Sequence, residues 1–319
     1  MTMRVLITGG LGFVGGRMAV HLAQAGCSVV LGTRKAIDPP AWLPQAKVAQ
    51  IHWEDGAALE RCCKGVDVVI QAAGMNAQDC TADPVVALAF NGVATARLVA
   101  AAGRAGVQRF IYLSTAHVYA SPLVGTITEE TCPRNLHPYA TSHLAGEHAV
   151  LAASDRGQIQ SIVLRLSNAF GAPMHKDVNC WTLLVNDLCR QAVQTGKLVL
   201  HTSGQQQRDF IGMTEVCHLI ERFVISNGDK DYHSGIFNVG AGVSESVLDM
   251  TKKIQKRCVQ VLGFEPDLQR NQNLKEESPA PLIYQAARLD QFAINLVYAN
   301  YIDEIDKLLR YCVTVFRSK

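Results

Sequence analysis

The chain has 319 residues, 48% of them hydrophobic, enough for one large two-part unit or two modest domains that need no disulfide or metal staple. Thirty Lys and Arg against 28 Asp and Glu leave a formal charge of +2, and no basic run is long enough for a nucleic-acid or anionic-membrane footprint, so a small-molecule partner is expected. The ten cysteines are scattered, Cys62-Cys63 being the only close pair, which excludes a disulfide scaffold, offers no metal-ligand spacing, and reads as core thiols in a reducing compartment.

The N-terminus runs Met-Thr-Met-Arg straight into a short apolar strand, without a basic region or cleavage site. No apolar run is read as reaching transmembrane length, so no membrane contact and a cytoplasmic location are expected. Val5-Leu6-Ile7 has the all-apolar pattern of a strand buried on both faces, and glycines follow at positions 9, 12 and 15. Met18, Leu22 and Ala25 then recur at helical intervals, with Gly26 suited to the C-terminal cap. Small residues at a strand-to-helix turn let backbone N–H groups and the helix dipole hold a pyrophosphate. Glycines also serve simple tight bends; the place of these at the end of the first strand favours dinucleotide binding.

A second buried strand, Ser28 to Leu31, ends in Gly32-Thr33-Arg34-Lys35 rather than in an acidic residue. A carboxylate there would hold the ribose hydroxyls of NAD, whereas Arg34, with or without Lys35, can pair with the extra phosphate of NADP. The alternative for Arg34 is a solvated side chain at a strand end. Strand-like Val48 to Ile51, a helix near Ala57 to Cys63 and strand Val66 to Gln71 continue the β/α alternation. Ala72-Ala73-Gly74 either lets a cofactor lie close over the sheet edge or is a packing turn. Asp83-Pro84 caps and opens a helix through Asn91 towards Ala102.

Strand Phe110 to Leu113 delivers Ser114 and Thr115 at its carboxyl end, where ligands sit in open parallel sheets. Residues 121–137 read as a loop. Pro138-Tyr139-Ala140-Thr141-Ser142-His143 then opens a helix, with a phenol one turn before a residue that can carry positive charge. Strand Ile162 to Leu166 closes the regular alternation near residue 167. Helices are expected over Leu183–Val193, Val247–Leu262 and Ile302–Tyr311, and strand Ile236 to Gly240 is expected to rejoin the main sheet.

Several of these segments together carry a resemblance: Thr8-Gly9-x-x-Gly12-x-x-Gly15, Ser114-Thr115-Ala116-His117-Val118-Tyr119, Tyr139-Ala140-Thr141-Ser142, Arg165 to Gly171, Arg208-Asp209-Phe210 and Phe237-Asn238-Val239-Gly240. The chain resembles the extended short-chain dehydrogenase/reductase family, and within it the nucleotide-sugar epimerase/dehydratase branch. The resemblance spans nearly the whole chain. It implies an α/β fold, a Rossmann-type doubly wound parallel sheet over 1–167 rejoined by segments near 205–240, with 168–319 mainly substrate-binding.

It also implies roles. Tyr139 is the proton donor or acceptor, Thr115 hydrogen-bonds the same sugar oxygen, and Ser114 supports them. The backbone of Gly9, Gly12, Phe13, Val14 and Gly15, together with Arg34, Ala72, Ala73 and Gly74, borders NADP or NAD. Asn168 and Arg208 point to a nucleotide-sugar substrate; the plainer reading of Arg208 is an ion pair with Asp209, and Arg165 is expected to be structural. Dehydratases of the branch carry an Asp-Glu pair after the hydroxyl residue, where this chain has Ala116-His117, which argues against 4,6-dehydration. C4 epimerisation and 4-keto reduction remain, with a non-catalytic NAD(P)-binding regulator as the alternative. Parts of 84–105 and 139–153 are expected to form a homodimer contact.

The family's lysine after the tyrosine holds the nicotinamide ribose and lowers the phenol's pKa; this chain has His143. With an unperturbed pKa near 6.5, and with Glu147 one turn on as a partner, His143 is expected to bind the ribose and to make Tyr139 activation pH-dependent across the imidazole range.

Overall fold

The computed structural model describes residues 2–225, 234–270, 280–291 and 301–317. Seven parallel strands form the central sheet: β1 (Arg4–Thr8), β2 (Ser28–Thr33), β3 (Lys47–Gln50), β4 (Val68–Gln71), β5 (Arg109–Thr115), β6 (Gln160–Leu166) and β7 (Gly235–Val239), in the order β7-β6-β5-β4-β1-β2-β3. Ile7 lies between Leu31 and Ile70, so β1 is paired on both edges. Its continuous apolar run follows from this, because side chains leave alternately to two covered faces.

Val5 and Ile7 pack with Met18 and Leu22 of α1 (Phe13–Gln24), whereas Leu6 packs with Leu59 of α2 (Gly56–Cys63), Leu98 of α3 (Pro84–Arg104) and Val150 of α4 (Pro138–Asp155). The helices thus lie in two layers on opposite faces. Strand order reverses between β1 and β4, which opens a crevice at their carboxyl ends.

A second core gathers α5 (Leu184–Thr195), α7 (Val247–Leu262) and α8 (Tyr301–Phe316), with α6 (Met213–Ile225) packed against the first. The strand Gln207–Gly212 does not enter the main sheet; it pairs in a three-stranded sheet with Asn168–Phe170 and Ser244–Ser246. The stretch 121–137 is not wholly loop, since Gly125–Ile127 pairs with Leu282–Tyr284.

One expectation needs correcting. Helix α3 is long and apolar enough, by length and composition, to span a membrane. Its place in the fold gives that composition another reason: Leu98, Val99, Ala101 and Ala102 are buried against the sheet. A π-helical segment at Leu88–Ala94 interrupts it and turns Asn91 inward to polar partners.

Candidate active site

The crevice holds a cavity of about 660 Å³, floored by Gly9, Gly12 and Gly15 and flanked by Arg34, Ala73 and Gly74. This lies within the size range of small-molecule sites. Gly9 has φ +65°, and a Cβ there would lie 2.9 Å from the backbone of Ala73; a Cβ on Gly15 would lie 2.3 Å from the Gly9 carbonyl oxygen. Gly9 is therefore demanded by the close approach of the β4 loop, and Gly15 by the tightness of the β1–α1 turn itself. No side chain caps the start of α1, whose N-cap is Gly12, so its first-turn N–H groups, those of Phe13 and Val14 included, are available to an anion.

Trp53, on the same cavity wall, meets Phe90 edge to face at 5.3 Å, and its buried Nε1 lacks a partner among the described residues. A glycine cradle, uncapped amides and an orphaned donor beside an apolar wall fit a dinucleotide. Sequence alone does not single out Trp53 or Phe90; an indole three residues beyond β3 is the available signal. Arg34, exposed just beyond β2, lines the cavity.

At the carboxyl edge of β5, Thr115 meets Tyr139. The Thr115 hydroxyl hydrogen-bonds the phenol and opposes the effect of burial, which still holds the Tyr139 pKa above the usual tyrosine value. Thr115 Oγ1 also accepts from the His117 amide at 3.1 Å. Tyr139 sits in the first turn of α4, where Pro138 occupies an early position and His137 Nδ1 accepts from the Tyr139 amide at 3.1 Å.

His143 lies one turn on, its ring centroid 4.7 Å from that of Tyr139. Its Nδ1 is 3.0 Å from the Tyr112 hydroxyl, and burial lowers its pKa to about 4. Burial also keeps the Tyr112 phenol protonated. The phenol then donates to Nδ1, which leaves hydrogen on Nε2, the nitrogen nearer Gly74. The expected His143–Glu147 contact does not form. Glu147 is fully buried and takes Arg165 Nη2 at 2.6 Å and Nε at 3.0 Å, together with the Ser114 hydroxyl. Without an anionic partner, a desolvated imidazole stays neutral through the physiological range, so the expected titration near neutrality is corrected downwards.

The same network removes Ser114 from the reacting side, because its hydroxyl is committed to Glu147. Arg165 is buried as the partner of that carboxylate and also stacks over Tyr119 at 4.6 Å. Asn91, a lone amide in an apolar helix pattern, ties the parts together: Oδ1 accepts from Met75 N at 2.9 Å and Nδ2 donates to Ser142 Oγ at 3.0 Å.

Towards the second core, Arg208 and His117 are close enough for the guanidinium, with burial the larger cause, to hold the His117 imidazole below its ordinary pKa. Arg208 donates to Gln206 Oε1 at 3.3 Å. It does not pair with Asp209, whose buried carboxylate accepts from Ala241 N at 2.8 Å. Asn168 donates to the Asp209 carbonyl at 2.9 Å on the neighbouring strand. The site thus brings together Tyr139, Thr115, His143 and the glycine cradle, with Arg208 across from His117.

Residues 5–240 match the model of the NAD dependent epimerase/dehydratase family. A dTDP-6-deoxy-L-talose 4-dehydrogenase (NAD(P)(+)) of Kitasatospora kifunensis is 30% identical over 75% of this chain and 74% of its own. A UDP-glucose 4-epimerase of Haemophilus influenzae is 27% identical over 80% of this chain and 82% of its own. The fold is also that of a Thermus thermophilus UDP-glucose 4-epimerase solved with NAD, with a TM-score of 0.78, 20% identity, and coverage of 98% of this chain and 100% of that one. With its glycine cradle, its strand-end hydroxyl and its tyrosine helix in the family's order, the chain belongs to the NAD dependent epimerase/dehydratase family of nucleotide-sugar enzymes.

Proposed function

We propose that this chain is an NADP-preferring oxidoreductase of a nucleotide-activated sugar, working at a ring carbon as a 4-keto reductase or, in reverse, a 4-dehydrogenase. The observation that carries the reading is the Thr115–Tyr139 pair beside the cradle, in which burial raises the phenol's pKa and the neighbouring His143 is held neutral. Bound NADPH supplies the hydride. Tyr139 enters protonated and gives its proton to the sugar oxygen as the carbonyl carbon is reduced; Thr115 orients that oxygen. His143 donates from Nε2 in the direction of Gly74, as a neutral positioning group in place of the family's ammonium. Arg208 holds the nucleotide pyrophosphate by charge-assisted hydrogen bonds, with Asn168 nearby, and 168–319 supplies most of the substrate contacts while 1–167 holds the cofactor.

Arg34 on the cavity wall supports NADP over NAD, as does the kinship with an NAD(P)(+) sugar 4-dehydrogenase. Ala116-His117 supports reduction over 4,6-dehydration. The test is NADPH oxidation by purified protein across dTDP- and UDP-4-keto sugars, with Tyr139→Phe expected to lose about 10²- to 10⁴-fold in rate. Epimerised product with tightly retained NAD and no net oxidation would refute it in favour of C4 epimerisation. A second reading, a non-catalytic NAD(P)-binding regulator, is favoured by the neutral His143; cofactor binding with no turnover on any sugar of the panel would select it.

We also propose a homodimer through α3 and α4. Val85, Leu88 and Val93 on α3 are 78%, 49% and 45% exposed, a set of apolar side chains that a second copy would cover. A monomeric mass by light scattering at micromolar concentration would refute it.

A further inference from the structure

On the outer side of the sheet, away from the cofactor crevice, α1 packs against α6. Arg17 and His21 are one turn apart on α1, and Thr214, His218 and Glu221 succeed one another along one face of α6. Arg17 Nη2 donates to Thr214 Oγ1 at 3.0 Å, fixing one end of the helix pair. One turn further, two imidazoles converge on one carboxylate oxygen: His21 Nε2 is 2.6 Å and His218 Nδ1 is 3.7 Å from Glu221 Oε2. The two rings meet edge to face at 4.7 Å, and the three ligand atoms all lie within 4.8 Å of one another. Among the described residues no other group of His, Cys, Asp and Glu converges in this way.

We propose that His21, His218 and Glu221 form a divalent transition-metal site, best suited to Zn²⁺, that clamps α1 to α6. Two imidazoles and one carboxylate are an ordinary zinc donor set, with water in the fourth position. Zn–N and Zn–O bonds of about 2.0–2.1 Å place ligand atoms roughly 3.3 Å apart in a tetrahedron. The present spacing brackets that distance, so closure requires only a small turn of His218, whose side chain is 62% exposed and free to move. Helix spacing brings His218 beside Glu221, and it is the packing of α1 that adds His21 from a different helix, so that three ligand atoms from two helices share one point. The clamp would steady α1, whose first turn begins at the phosphate cradle. Nothing in the linear sequence points to it, because His21 and Glu221 are 200 residues apart.

Equilibrium dialysis of the chelator-treated whole chain against ZnCl₂ tests this. The expected result is one Zn²⁺ per chain and a raised melting temperature. His218→Gln and His21→Gln should each lose about tenfold or more in affinity, while His201→Gln, at an exposed site elsewhere, should not change it. Co²⁺ loading gives a second readout and should yield d–d absorption without a thiolate charge-transfer band. Absence of saturable Zn²⁺ binding by the unmodified chain, unchanged affinity in both ligand variants, or a thiolate band would each overturn the proposal.

Discussion

Replacing His143 by Gln tests the neutral-imidazole argument without reference to any substrate. The imidazole titrates near 6.5 in the unfolded chain and at about 4 in the fold, because burial disfavours the cation and Glu147 is taken by Arg165. Between these values the unfolded chain binds the proton and the folded chain does not. Stability is therefore complete above the unfolded pKa and falls as pH drops towards the folded one. The full span, some 2.5 units at 1.36 kcal/mol each, is about 3 kcal/mol, of which about 2 kcal/mol is already lost near pH 5. Gln can accept from the Tyr112 hydroxyl as Nδ1 does, but it does not titrate. Urea unfolding of the cofactor-free protein near pH 7.5 and pH 5, with wild type and variant compared so that all other groups cancel, reads the difference directly. Wild type should lose about 2 kcal/mol more than the variant over that interval. Equal losses would refute the reasoning and mean that the imidazole is solvated or paired.

Gly15→Ala should destabilise the protein by about 1–3 kcal/mol and weaken cofactor binding, since the new Cβ would meet the Gly9 carbonyl oxygen at 2.3 Å; thermal melts and cofactor titration measure both. Glu147→Ala should cost about 3–5 kcal/mol by leaving Arg165 buried and unpaired, read by denaturant unfolding. Arg34→Ser should weaken NADPH by about tenfold or more while sparing NADH, one charge-assisted contact being removed; paired Kd measurements decide it. His143→Lys restores a cation beside Tyr139 and should move the alkaline limit of the rate profile to lower pH, measured as kcat against pH.

The open sheet and the glycine turn after β1 were legible because their causes are local. An apolar strand running into spaced glycines and then a helical pattern requires a chain that turns sharply and approaches something closely, and a Cβ on Gly9 or Gly15 would indeed lie within 3 Å of backbone. The tyrosine helix was equally legible, with Pro138 in its first turn and Tyr139 directly behind. Asp83 caps its helix as read, accepting from Val86 N at 2.9 Å. The apolar length of Pro84–Arg104 was missed because Asn91 and Arg97 interrupt the run in sequence, whereas the helix is continuous in the fold and half of its apolar window is buried.

Partner choice was the part that sequence could not decide. Glu147 stands one turn from His143 along α4, and local spacing pairs them; the fold turns it instead onto Arg165 of β6 and Ser114 of β5. That choice leaves His143 neutral and Ser114 occupied, and it follows from the stronger demand of a buried guanidinium for a carboxylate. Asn91, Trp53 and the His21–His218–Glu221 cluster likewise acquire meaning only from residues far away in the chain. Local sequence pattern was enough for the parallel sheet, the glycine turn after β1 and the helix that carries Tyr139. The tertiary structure alone decided which charges meet, because a long-range ion pair depends on how strands and helices are brought together rather than on spacing along one of them.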